Sequence, residues 1–90
     1  MKRVRIRIEG KVQGVFYRAS TKAKATELKL RGWVKNLPGG GVELEAQGEE
    51  YSLRKLKDWC HGGPETARVT QVICEEILPI QGETAFIIKY

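Results

Sequence analysis

Between two runs of strand-forming residues stands Leu37-Pro38-Gly39-Gly40-Gly41. Proline lacks the backbone donor and glycine lacks the side chain that a helix or ladder would use, so the chain turns there. Both flanks read as strands: Gly32-Trp33-Val34-Lys35-Asn36 before the turn, and the alternating Val42-Glu43-Leu44-Glu45-Ala46 after it, ending at Gln47-Gly48. Alternation with period two marks a strand with one buried face, and two such runs across a turn form an antiparallel hairpin. Asn36 stands at the neck of that hairpin.

The remaining segments supply partners for it. Residues 3–9 alternate as well, with Val4, Ile6 and Ile8 on one face and Arg3, Arg5 and Arg7 on the other. That pattern predicts a half-buried strand with a basic outer face. Residues 19–30 are rich in Ala, Lys and Leu, and Thr21, Ala25 and Leu28 share one helical stripe. They predict a helix ended by Gly32 after Arg31; its stripe is thin, so it needs a sheet to pack on. Residues 49–61 predict a second helix. It opens on acidic residues, turns Leu53, Leu56 and Cys60 inward, and stops at Gly62-Gly63-Pro64. Residues 68–77 read as a strand whose facing is ambiguous, which points to a bulge. Residues 84–90 read as a last strand, with Phe86, Ile88 and Tyr90 on one face. The order is β-α-β-β-α-β with an extra C-terminal strand. The expected fold is α+β, a two-layer α/β sandwich of the ferredoxin-like kind, as a single domain over residues 1–90. Many functions share that architecture, so it selects none.

Composition narrows the chemistry. The chain has 90 residues and a net charge of +5, which favours anionic partners. The basic residues are spread along the chain, which suits a solvated surface better than a dedicated nucleic-acid patch. No apolar run reaches the length of a membrane span, and Met1-Lys2-Arg3-Val4 opens no signal-peptide core, so the expected location is cytoplasmic. Cys60 and Cys74 are far apart and outside any Cys-x-x-Cys pair, and are read as small buried hydrophobes. With one His and no Cys pair, no usual zinc pattern can be assembled, so no metal and no cofactor are expected.

One stretch carries charge-binding potential. Residues 10–18, Gly-Lys-Val-Gln-Gly-Val-Phe-Tyr-Arg, join the first strand to the first helix and contain no acidic residue. A bend of this kind exposes backbone N–H groups, the helix start adds partial positive charge, and glycine lets the backbone curl around an anion. Arg18 at its rim can grip two oxygens of a phosphate or carboxylate. Spacing alone leaves both readings open, an anion cradle or a plain glycine-containing connection. Asn36 could be an amide that orients a water for attack on a phosphate, but by itself it reads better as a turn residue bonding its own backbone. Glu43 with Glu45, and Glu75 with Glu76, read as solvent-facing strand carboxylates, not as an acid–base pair. His61, near a helix C-terminus, has a sufficient structural role there. Trp33, Phe16 and Tyr17 raise the question of base stacking. The first and third strands carry no aromatic residue, however, so an RNA-recognition sheet loses its main support.

Two ordered motifs resemble a known family. Gly10-x-Val12-Gln13-Gly14-Val15-x-Tyr17-Arg18 is similar to the first acylphosphatase signature, with Tyr17 where Phe is more frequent. Gly32-Trp33-Val34-Lys35-Asn36-x-x-x-Gly40-x-Val42-Glu43, followed by Gly48, is similar to the second. Gly63-Pro64, Ala67-Arg68-Val69 and Phe86-x-Ile88 extend the resemblance over essentially the whole chain. It implies a small metal-free enzyme that hydrolyses the carboxyl–phosphate bond of acyl phosphates. It implies that Arg18 and backbone N–H groups of Gln13, Gly14, Val15, Phe16, Tyr17 and Arg18 bind the phosphate, and that Asn36 positions the nucleophilic water. The implied partners are a small acyl phosphate as substrate and inorganic phosphate as product; no nucleic acid and no membrane partner is expected, and the chain is expected to be a monomer. Gly39 stands where the family often has Asp or Asn, and three glycines loosen the hairpin tip. The alternative is a non-catalytic phosphate- or anion-binding domain on the same scaffold; Arg18 and Asn36, both retained, favour the enzyme.

Overall fold

Alternation in residues 3–9 is that of a strand with one buried face. In the computed structural model, which describes residues Met1–Tyr90, β1 spans Lys2–Lys11 and lies inside a five-stranded sheet. The chain continues as α1 (Tyr17–Glu27), β2 (Arg31–Asn36), β3 (Val42–Gly48), α2 (Glu50–Cys60), β4 (Arg68–Ile77) and β5 (Phe86–Ile88). The sheet order is β4-β1-β3-β2-β5, antiparallel throughout except for the parallel pair β2–β5. The ferredoxin-like α/β sandwich with an added C-terminal strand is therefore present as expected.

Burial follows the two periods. Ile6 and Ile8 of β1, Val34 of β2, and Val42, Leu44 and Ala46 of β3 are fully buried on the face that the helices cover. Opposite them α2 turns in Leu53, Leu56 and Cys60, the predicted stripe, and α1 turns in Tyr17, Thr21 and Ala25. Each large aliphatic side chain so placed contributes about 1.5–3 kcal/mol. The predicted bulge lies in β4. Glu9 pairs with Gln71 but Gly10 with Val69, so Thr70 is the extra residue, and Val69 and Val72 both reach the core.

α1 ends earlier than predicted and by another residue. Its last helical residue is Glu27, and Lys29 makes the left-handed turn at φ 62°. The Lys29 N–H donates to the Thr26 carbonyl (3.0 Å) and the Leu30 N–H to the Ala25 carbonyl (2.9 Å). This pattern satisfies the last carbonyls of a helix and normally employs glycine. Gly32, expected to stop the helix, instead lies within β2 at φ 150°, where a Cβ would collide with the backbone carbonyl of Glu45.

The face without helices is not the solvated basic surface that alternation implied. Arg5 bonds Glu45 and Glu75, and Arg7 lies beside Glu43, so the strand carboxylates serve as partners for arginines. Arg3 is buried, its side chain 1% exposed. The connection between β4 and β5, residues 78–85, crosses this face at the end that holds Arg3, Gln47 and Arg31, and leaves Arg5 and Arg7 about half exposed. No helix is long and apolar enough to cross a membrane.

Candidate active site

The loop between β1 and α1 curls through two left-handed residues, Gly14 at φ 75° and Phe16 at φ 66°. Phe16 immediately precedes the helix. It offers no side-chain cap, and the first turn contains no acidic residue. The first intrahelical bond runs from the Ser20 N–H to the Phe16 carbonyl (3.0 Å). The N–H groups of Tyr17, Arg18 and Ala19 come before it, and a helix gives such groups no internal partner. They add to the positive end of the helix dipole.

This helix start opens on a pocket of about 300 Å³ that contains both Arg18 and Asn36. Arg18 rises from the first turn, its guanidinium carbon 5.1 Å from the centre of the Tyr90 ring, a cation–π approach. Asn36 is the last residue of β2, opposite Val42. Its Oδ1 is buried and accepts no hydrogen bond from the protein. Buried polar atoms are nearly always satisfied, so this one leaves the Asn36 amide with unmet hydrogen-bonding capacity beside the pocket that the residue lines.

Loop residues divide between lining the pocket and holding it. Gly14, Phe16, Tyr17 and Arg18 line it, Phe16 being 77% exposed and so a rim residue with no part in the core. The Gln13 side chain turns toward the hairpin, where Nε2 donates to the carbonyls of Leu37 and Gly41, both at 2.8 Å. It thereby ties the loop to the turn that carries Asn36. Val15 is buried, and its carbonyl accepts from the Thr66 hydroxyl at 2.8 Å. The buried Tyr17 hydroxyl donates to the Cys60 carbonyl at 2.7 Å, and its ring rests near Trp59. Burial raises the pKa of the Tyr17 phenol and pushes the Cys60 thiol up to about 12, so both stay protonated at neutral pH.

Sequence reasoning missed the far wall. Ile88 and Tyr90 line the pocket from the side of β5. Their shared face was visible in the alternation of the last strand; which sheet edge that strand would join was not. No group of three His, Cys, Asp or Glu side chains is gathered anywhere to hold a metal ion.

A model of the acylphosphatase family matches residues 4–88. The chain belongs to the acylphosphatase family. Among curated acylphosphatases, that of Marinobacter nauticus is 54% identical over 79 residues, covering 88% of this chain and 86% of the relative. Among solved structures, the acylphosphatase of Bacillus subtilis superposes with a TM-score of 0.95 at 36% identity, covering all of both chains. The acylphosphatase of Coxiella burnetii superposes with a TM-score of 0.93 at 44% identity, covering 98% of this chain and 92% of that one. The family match includes the loop before α1 and the β2–β3 hairpin, and stops two residues before Tyr90.

Proposed function

We propose that the chain hydrolyses the carboxyl–phosphate bond of acyl phosphates with Arg18, the N–H groups at the start of α1 and Asn36 as its working parts. One observation carries the reading: a guanidinium, an uncapped helix start and the Asn36 side chain, whose amide oxygen has no partner in the protein, border one pocket. Arg18 and the helix start hold the phosphoryl oxygens and neutralise their charge. The Asn36 Oδ1 accepts a hydrogen bond from the attacking water and orients it. Gln13 acts at one remove, keeping loop and hairpin in register. The proposed loop contacts of Gly14, Val15, Phe16 and Tyr17 are made by backbone N–H groups, since the Val15 and Tyr17 side chains are spent on packing.

So few groups suffice because an acyl phosphate is a mixed anhydride. Its leaving group is a carboxylate, which needs little protonation, and phosphoryl transfer depends mainly on positioning and charge. The water's proton passes to a phosphoryl oxygen, and the products are the carboxylate and inorganic phosphate.

The test is hydrolysis of an aromatic acyl phosphate in chelator. Arg18→Ala lowers kcat/KM about 10³-fold and abolishes inhibition by inorganic phosphate, as removal of a charge-stabilising donor does. Asn36→Ala lowers kcat on the order of 10²-fold with phosphate inhibition retained, as loss of orientation does. Phosphate binding without turnover by the wild type would overturn the catalytic reading and leave an anion-binding domain.

A further inference from the structure

β5 provides one wall of the pocket, yet little of its own holds it there. It is a three-residue edge strand, paired on one side only. The Gly32 N–H donates to the Ala85 carbonyl (3.1 Å) at its start and the Lys89 N–H to the Val34 carbonyl (2.8 Å) at its end. Such a strand is marginal, and a slip of one residue would turn Phe86 and Ile88 out to the opposite face.

Its position is set by the crossover before it. Arg3, Gln47 and Arg31 form one row across β1, β3 and β2, and each grips residues 78–85. The Gln47 amide donates to the Ile80 carbonyl and accepts from the Ile80 N–H, both at 2.9 Å, as a strand neighbour would. Arg31 donates to the Glu83 carbonyl at 3.2 Å. Arg3 is the centre of the row. It donates to both Glu83 carboxylate oxygens (2.7 and 3.2 Å), to Glu45 (2.9 Å) and to the Gln47 amide oxygen (3.1 Å). A buried guanidinium is costly unless every donor is engaged, and an apolar residue of similar size often serves stability as well. A forked cation does what an apolar side chain cannot: it sets the crossover at one register.

We propose that Arg3 is a positioning residue for the pocket, acting through the 78–85 crossover and β5 on Ile88 and Tyr90. The row lies five residues along β2 from Asn36, roughly 17 Å at strand spacing, so Arg3 touches no reacting group. Its influence reaches the pocket through Ile88 and, beyond the strand, through the exposed Tyr90, whose ring centre is 5.1 Å from the Arg18 guanidinium carbon. This inference rests on the proposed function for its kinetic readout, though not for its structural one.

The experiment compares wild type, Arg3→Met, Glu83→Gln and Tyr90→Ala by three measurements. They are amide exchange of the Lys89 N–H, calorimetric binding of inorganic phosphate, and KM against kcat for an aromatic acyl phosphate. In Arg3→Met, Lys89 loses protection while amides of α2 keep theirs. KM and the phosphate Kd rise together, about tenfold, and kcat changes less than about threefold, the split expected when ground-state positioning is lost. Glu83→Gln moves all three in the same direction by less, and supplies the test if Arg3→Met does not fold. In the Tyr90→Ala background Arg3→Met raises KM by less than it does in wild type, because part of its effect passes through that ring and the rest through Ile88. Unchanged Lys89 protection, or effects that multiply in the double variant, would overturn the inference. Absent hydrolysis by wild type would overturn the proposed function alone, since exchange at Lys89 requires no turnover.

Discussion

Tyr17 shows how a single residue is settled by its neighbours. Its side chain points into the core beneath the loop, and its hydroxyl reaches the Cys60 carbonyl at the end of α2, where the last carbonyls of a helix lack internal partners. Tyr17→Phe keeps the ring and deletes that bond. The expected cost is about 1–2 kcal/mol, the effect of leaving a buried carbonyl unpaired, measured by denaturant unfolding. A hydroxyl in need of a partner was legible in the sequence; the partner, 43 positions away, was not. Arg3 makes the same point more sharply. Alternation correctly assigns it to the face away from Val4 and Ile6. What alternation cannot say is that Glu83, 80 positions later, returns to cover it. Facing is a local property, whereas burial depends on what the rest of the chain lays over that face.

α1 is informative at both ends. Its inward stripe was readable as Thr21, Ala25 and Leu28; the structure puts Leu28 just past the helix end, still against the core, and adds Tyr17 one turn earlier. The start was read two residues late, because Phe16 is an unusual residue to precede a helix in a left-handed conformation. The end was read late because Gly32 is the nearest glycine, while Lys29 takes the conformation that glycine ordinarily fills. Lys29→Gly therefore stabilises the protein by about 1 kcal/mol, read as a higher denaturant midpoint with an unchanged slope. Loss of stability instead would mean that the Lys29 side chain makes a contribution larger than its backbone strain. The β2–β3 hairpin was fully legible, since Pro38 and the three glycines admit no other reading. β5 was legible as a strand but not in its partner: parallel pairing to β2 depends on the path of residues 78–85 around the sheet.

At the scale of the molecule, the two periodicities and their order were enough for the layers, and the two motifs were enough for the family. The pocket was half legible. Arg18 and Asn36 stand out by residue type and spacing, but Ile88 and Tyr90 arrive only through the topology. The bare start of α1 has a consequence for the whole chain. An ordinary helix finds its cap within the protein, worth about 1 kcal/mol. No side chain serves at α1, nor at α2, but the α1 start borders the pocket of Arg18, and there an anion from solution takes that place under the proposed function. Binding to the folded chain alone raises stability by about 2.7 kcal/mol when phosphate exceeds its Kd a hundredfold. Thermal unfolding in phosphate against chloride at matched ionic strength would show this rise in wild type and none in Arg18→Ala. Reaction product and structural cap are then one molecule: as hydrolysis proceeds and phosphate accumulates, turnover slows while the folded protein lasts longer.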